Sequence, residues 1–133
     1  MRKRVSALAL VFVMSVTPLL ASEDDDSWLT RSGYYRVSFD SALNPIVINT
    51  IHEWVFHIRN PDGSPVTGAT ISVTGGMPLH NHGLPTDPQM TREIGNGDYL
   101  VEGVRFHMNG YWELLVTVEV DGKRDTVIVP LDI

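Results

Sequence analysis

Two histidines and a methionine lie close together in a segment rich in glycine and proline. Within residues 75–88, His80 and His82 are separated by one residue, and Met77 precedes them. On an extended backbone, residues two positions apart project to the same side, so both imidazoles could bind one ion. Neutral imidazole binds copper, zinc, nickel and iron, and a thioether adds affinity for a soft ion such as Cu(I). This segment therefore predicts a metal site, with copper as the favoured ion.

Apolar residues in the same segment recur with neither the spacing of a helix nor that of a strand. Three glycines and three prolines restrict its path, because proline fixes φ and glycine admits conformations that other residues avoid. Connections of this length in a compact domain are commonly functional, so we expect a long ordered loop. A histidine pair can also be a solvated surface feature. The alternative is a metal-free loop that docks onto a partner protein.

A second histidine–methionine pair precedes a turn dipeptide. Alternation along residues 104–108 predicts a strand that places Met108 in the core and His107 outside. Either residue would complete the site begun by His80 and His82, if the long loop folds back over this end of the sheet. Met108 is equally interpreted as core filling, since methionine packs into irregular gaps.

From Tyr34 onward, apolar residues recur at every second position, and no stretch has the pattern of an amphipathic helix. Strands must therefore position these residues. Asp-Gly and Asn-Gly dipeptides separate the alternating runs. The pattern predicts an all-β protein, an antiparallel β-sandwich of seven to eight strands, with a small barrel as the second choice. His52 and His57 fall on opposite faces of one predicted strand, so at most one can join any site. The predicted strands are 35–39, 51–59, 69–74, 90–94, 98–102, 104–108, 111–120 and 125–133.

The N-terminus resembles a secretory signal peptide over residues 1–21, with a basic start, an apolar run and a small residue at Ala21. An uncleaved membrane anchor is the alternative, although the apolar run is short for a bilayer span. Residues 22–33 predict an acidic disordered tail, and residues 34–133 a single domain. We expect a periplasmic or secreted protein.

Composition excludes several function classes. The chain has no cysteine, so it has no disulfide framework, thiolate ligand or lipid-attachment cysteine. Its net charge of −6 disfavours nucleic acid as a partner. Nucleophile elbows, phosphate-binding glycine loops and the zinc-protease motif are absent from the sequence, which predicts that the protein is not an enzyme.

Four stretches together resemble the YtkA-like domain family, which is related to the FixH-like proteins. They are Gly75-Gly76-Met77-Pro78, His80-Asn81-His82-Gly83-Leu84-Pro85-Thr86, residues 97–103 and Phe106-His107-Met108-Asn109-Gly110-Tyr111-Trp112. The resemblance covers roughly residues 50–120.

The resemblance implies an exported or membrane-anchored immunoglobulin-like β-sandwich that is often met beside copper handling and respiratory-oxidase assembly. By position, it implies a metal near the Met-Pro-x-His-x-His segment and the Phe-His-Met turn. The expected function is copper binding or delivery through Met77, His80 and His82, with His107 or Met108. The alternative is a metal-free module that assists assembly of a membrane or respiratory complex, with a membrane-bound or periplasmic protein as partner.

Overall fold

The computed structural model describes residues 26–133, which form nine β-strands. The predicted signal peptide and the first residues of the predicted tail lie outside the described residues. Within residues 26–133 no helix is long or apolar enough to cross a membrane. The all-β prediction is confirmed. The strands are β1 (Trp28–Leu29), β2 (Arg36–Ser41), β3 (His52–Arg59), β4 (Thr70–Met77), β5 (His82–Gly83), β6 (Gln89–Gly95), β7 (Asp98–Val104), β8 (Tyr111–Val120) and β9 (Lys123–Asp132).

All neighbouring strands are antiparallel, in the order β1-β2-β3-β7-β6-β4-β8-β9, with β5 beside β4. Only one residue pair, Ser72 with Gln89, joins β6 to β4, so the sheet divides there into two halves. At the opposite seam Arg31 N–H donates to the Thr126 carbonyl across 2.8 Å. The result is a β-sandwich that is nearly closed into a barrel.

The core lies between the two halves and is dominated by aromatic side chains. Strand β3 alternates as its sequence predicts, with Trp54, Phe56 and Ile58 fully buried. From the other half, β8 buries Trp112 and the branched residues that follow it at every second position. The period of two thus places one face of each long strand in a shared core. This packing fixes the end of the sandwich where β8 begins.

The sheet begins earlier than the sequence predicts. Trp28–Leu29 pairs with β2 as strand β1, although residues 22–33 were expected to be a disordered tail. The reason is apolar packing, because the Trp28 ring stacks on Phe39 with centroids 5.9 Å apart. The acidic block precedes this contact and therefore does not prevent it. The tail prediction is wrong for these residues.

Two strand boundaries near the histidines also differ from the predictions. Residues 75–88 are not one long loop, because β4 continues to Met77 and β5 pairs back onto it. The predicted strand 104–108 is wrong, since β7 ends at Val104, after Gly103 adopts a φ of +85°. Residues 105–110 therefore form a connection to β8, and the alternation used to assign their side chains does not apply.

Candidate metal centre

A β-hairpin carries the first histidine pair. Met77 on β4 is the register partner of His82 on β5, and residues 78–81 form the turn between them. His80 N–H donates to the Met77 carbonyl at 3.0 Å, and Asn81 closes the turn with a φ of +54°. Asparagine tolerates this left-handed conformation better than most residues. The turn thus projects His80 outward and returns His82 to the sheet.

Glycines permit the close approach of β4 to its two neighbours. A Cβ added at Gly75 would collide with the Glu113 carbonyl oxygen of β8, and one at Gly76 would collide with the His82 carbonyl oxygen of β5. Any larger residue at either position would push these strands apart. The glycines that hide the strand period in the sequence are therefore what brings His82 against β8.

The connection between β7 and β8 carries the third histidine. Trp112 Nε1–H donates to the Met108 carbonyl at 3.1 Å. Gly110 and Ile133 exchange backbone hydrogen bonds of 2.7 and 3.0 Å, which tie the same segment to the chain after β9. Phe106 is fully buried in the core. These contacts hold His107 at a fixed place beside the hairpin.

The structure brings His82 and His107 together. Their ring centroids lie 4.8 Å apart with an interplanar angle of 47°. Both rings contact the buried indole of Trp112, His82 at 5.7 Å and His107 at 5.6 Å between centroids, in edge-on arrangements. The hairpin therefore folds over this end of the sheet, as a shared site requires, and one tryptophan forms the wall behind both imidazoles.

Each imidazole of this pair has a buried nitrogen without a hydrogen-bond partner within the described residues. The atoms are His82 Nε2 and His107 Nδ1. His82 Nδ1 lies 3.2 Å from the Gly83 carbonyl oxygen, which can only accept, so Nδ1 carries the hydrogen. In the neutral ring, this leaves a free lone pair on His82 Nε2. An unsatisfied buried polar atom costs about 1–3 kcal/mol, which a ligand at this position would offset.

Other unpaired nitrogens in the described part of the chain have a different setting. His52 Nε2, Trp54 Nε1 and Arg105 Nε also lack partners. The rings of His52 and Trp54 lie 6.2 Å apart inside the aromatic core, where Nδ1 of His52 hydrogen-bonds to the Thr50 carbonyl. His52 is thus the hydrogen-bonded, buried histidine that its face of β3 predicts. His57 pairs with Asp40 and Asp98 on the outer face, so neither histidine joins the site.

Met77 lies across the hairpin from His82. Its side chain is 1% exposed and, as a register partner, shares a face with His82. Cross-strand partners have Cβ atoms roughly 5 Å apart, so the two side chains leave neighbouring backbone positions. Its methyl group packs on Gly110, where an added Cβ would lie 2.9 Å from Met77 Cε. Met77 is therefore a core residue that also borders the site.

The two remaining candidates lie at the surface. His80 is exposed, and its ring centroid is 5.9 Å from that of His82. Met108 is 37% exposed, so its predicted assignment to the core is wrong. The reason is that β7 ends before it, and its carbonyl, rather than its thioether, is fixed by Trp112. The structure therefore brings His82 and His107 together, with Met77 across the hairpin from His82 and His80 at the edge.

The group has the chemistry of a small soft-metal site. Two neutral imidazoles and one thioether are borderline and soft donors, a set suited to copper. Among residues 26–133, no group of three or more His, Cys, Asp or Glu side chains is arranged to hold a metal ion. An open cavity of about 510 Å³ borders Met77, Asn81 and His82, but neither His107 nor Trp112 lines it.

Sequence reasoning missed two residues that build the site. The sequence places Trp112 only within the predicted strand 111–120, yet its indole contacts both imidazoles and donates a hydrogen bond to the Met108 carbonyl. Gly110 was assigned only to a turn, yet it leaves the space that the Met77 methyl group fills. The spacing of Gly110 and Trp112 after His107 was the available signal, since both follow it within one short segment.

Comparisons with known proteins identify the family of this chain. The chain is similar to a solved structure described as the ZirS C-terminal domain, at 16% identity and a TM-score of 0.45, over 97% of this chain and 86% of that one. No curated protein matches the chain. The profile of the YtkA-like family matches residues 32–117, which include β2 to β7 and most of β8. The chain therefore belongs to the YtkA-like family.

Proposed function

We propose that this chain is an exported copper-binding module that holds Cu(I) between His82, His107 and Met77 and delivers it to other proteins. The observation that carries the proposal is the pair of adjacent imidazoles whose buried nitrogens, His82 Nε2 and His107 Nδ1, have no partner within the described residues. Ligation of one metal ion would give both atoms a partner.

The donor set favours Cu(I) over harder ions. Histidine alone would suit zinc or Cu(II) equally, but a buried thioether contributes only to a soft ion. Met77 is 1% exposed and shares a face with His82, so it offers its sulfur where water competes poorly. The carboxylate of Glu113 borders the nearby cavity but hydrogen-bonds with the Tyr111 hydroxyl at 3.0 Å. Copper is thus cargo held by soft donors at one end of a rigid sandwich.

Charge and the N-terminal sequence support an exported carrier. The net charge of −6 favours the approach of a cation, although such a field steers and does not select. Residues 1–21 have the pattern of a secretory signal peptide. A chain without cysteine also suits an oxidising compartment, where free thiols form unwanted disulfides.

A second candidate function is a metal-free docking module, and the surface around the histidines favours it. Leu79 at the tip of the turn is 83% exposed, and Met108 and Tyr111 nearby are 37% and 36% exposed. Exposed apolar side chains gathered at one end of a domain are typical of a protein interface. In this alternative the histidines are polar contacts to the partner, which would be a membrane-bound or periplasmic protein.

The experiment that separates the two functions is a titration of the purified chain with Cu(I) and with Cu(II), in competition with a chelator of known affinity. The proposal predicts one Cu(I) per chain, with weaker Cu(II) binding. The double variant His82→Ala/His107→Ala should lose Cu(I) binding, while His57→Gln, which removes an imidazole elsewhere, should retain it. Weak, non-stoichiometric binding that the double variant shares would overturn the copper proposal and favour docking.

A further inference from the structure

The two central nitrogens of the proposed copper site are shielded from solvent. His82 Nε2 and His107 Nδ1 each expose less than 1 Å². Met77, the thioether donor, is 1% exposed. A copper ion held by a carrier in solution therefore has no direct contact with any of the three donors. Some exposed group must bind the ion first.

His80 is placed to be that group. It lies in the turn between β4 and β5, with an exposed side chain whose ring centroid is 5.9 Å from that of His82. The backbone hydrogen bond from His80 N–H to the Met77 carbonyl, at 3.0 Å, holds the turn in place. The ring of His82 thus lies between two imidazole contacts, 5.9 Å from the ring of exposed His80 and 4.8 Å from that of half-buried His107.

From this arrangement we infer that His80 is the capture and exchange ligand of the site. It binds Cu(I) first on uptake from a partner and last on release to one. The inference rests on the proposed function. It separates the histidines into two roles, since His82 and His107 set the affinity and His80 sets the rate of exchange. His80 would recognise a copper-loaded partner of any sequence through an open coordination position on the partner's copper ion.

The exchange balances without a redox step. His80 forms a coordinate bond to Cu(I) while one bond from the donor complex breaks, and His82 Nε2 then forms its bond as the donor leaves. Each imidazole supplies the lone pair of its neutral form. Copper stays Cu(I) throughout. The reverse sequence releases the ion to an acceptor.

The test is stopped-flow transfer of Cu(I) from a bicinchoninate complex to the purified chain, together with the equilibrium affinity measured by competition. His80→Ala should slow transfer in both directions by about tenfold or more while changing the dissociation constant less than about threefold, because exchange alone depends on it. His80→Met keeps a soft exposed donor and should restore most of the rate. His57→Gln, which removes an imidazole outside the site, is the control and should leave the rate unchanged.

Four outcomes would overturn the inference. An unchanged rate in His80→Ala would show that capture does not use this residue, while the proposed function would stand. An affinity loss as large as that of His82→Ala would make His80 an equilibrium ligand instead. Absence of Cu(I) binding by the unmodified chain would overturn both proposals. Rescue by His80→Gln equal to that by His80→Met would also contradict a ligand role.

Discussion

The imidazoles of His82 and His107 lie 4.8 Å apart and share one wall, the buried indole of Trp112. His82 belongs to the β4–β5 hairpin, whereas His107 belongs to the connection before β8. Trp112 therefore joins two segments that no strand pairing connects directly. The arrangement gives the site rigidity, because each ring has a packed neighbour and the tryptophan is held by its own hydrogen bond to the Met108 carbonyl.

The two methionines near the pair should respond differently to substitution. Met77→Leu conserves side-chain volume, so the free energy of unfolding should fall by less than about 1.5 kcal/mol. Its Cu(I) affinity should fall by about tenfold or more, because the buried thioether is lost. Met108→Leu is the matched control and should leave affinity unchanged, since that side chain lies at the surface. Competition titrations measure both. Equal affinities for the two variants would exclude Met77 as a ligand.

Gly110 should tolerate substitution less well than another glycine with positive φ. Gly110 has a φ of +129°, and an added Cβ would lie 2.9 Å from Met77 Cε. Gly122 has a φ of +77° but meets nothing within 4 Å. Both Gly→Ala changes strain the backbone by roughly 1–3 kcal/mol, and Gly110→Ala should add the cost of displacing Met77. Urea unfolding should therefore show the larger loss for Gly110→Ala; equal losses would contradict this packing.

His57 should make stability depend on pH in the neutral range. Its Nδ1 lies 2.8 Å from Asp98 Oδ1, and its Nε2 lies 3.1 Å from Asp40 Oδ2. Burial acts to lower the pKa of His57, but the hydrogen bonds to Asp98 and Asp40 outweigh it and raise the pKa above its ordinary value. A raised folded pKa stabilises the fold fully below the unfolded pKa, about 6.5, and this contribution is lost as pH rises through the folded value.

The variant His57→Gln isolates this effect. The free energy of unfolding of the unmodified chain should decrease from about pH 6 to about pH 9 relative to that of the variant. Denaturant unfolding across that range measures the difference. The variant should cost roughly 1–3 kcal/mol at the acid end, where the charged hydrogen bonds are intact. Parallel pH profiles for the two proteins would contradict the bridging role of His57.

Asp125 anchors the segment between β1 and β2 to strand β9. Its side chain accepts backbone hydrogen bonds from Ser32 at 3.0 and 3.1 Å, from Tyr34 at 3.4 Å and from Thr126 at 2.9 Å. Burial acts to raise the pKa of Asp125, but hydrogen bonds from Thr30 and these backbone donors lower it overall. Its contribution to stability is therefore present above the unfolded pKa of about 3.9 and lost as pH falls through the folded value.

Removing the charge of Asp125 should weaken this anchor. Asp125→Asn should cost roughly 2–3 kcal/mol near neutral pH, because charged hydrogen bonds are lost from a residue that is 5% exposed. Asp121→Asn is the control, an exposed turn residue with a φ of +50° that asparagine also adopts. Urea unfolding compares the two. Similar stabilities would show that the anchor contributes little.

The sequence predicts the strands best where one face is continuously buried. Strand β8 has the predicted bounds, Tyr111 to Val120, because its alternation is unbroken. Prediction fails at Gly75 and Gly76, since glycine has no side chain to reveal which face is buried. It fails again after Val104, where a glycine with positive φ ends the strand although the apolar alternation continues. The alternation of apolar and polar residues therefore does not locate a strand end that backbone conformation determines.

The candidate site was likewise predictable only in the part that local sequence encodes. His80 and His82 could be recognised from their spacing, because both lie in one short segment. The partnership of His82 with His107 depends on contacts between distant segments, such as the backbone pair of Gly110 with Ile133, which no local pattern encodes. The choice between His107 and Met108 likewise required the structure, since a strand and a loop orient neighbouring side chains differently.

The most direct test of the account is long-range ¹H–¹⁵N NMR of the histidine side chains during addition of Cu(I), which is diamagnetic. Coordination at His82 Nε2 and His107 Nδ1 predicts large ¹⁵N shifts at those two atoms, saturating at one equivalent, while the nitrogens of His52 and His57 stay unchanged. Shifts confined to His80, or spread over all five histidines without saturation, would contradict a copper site between His82 and His107.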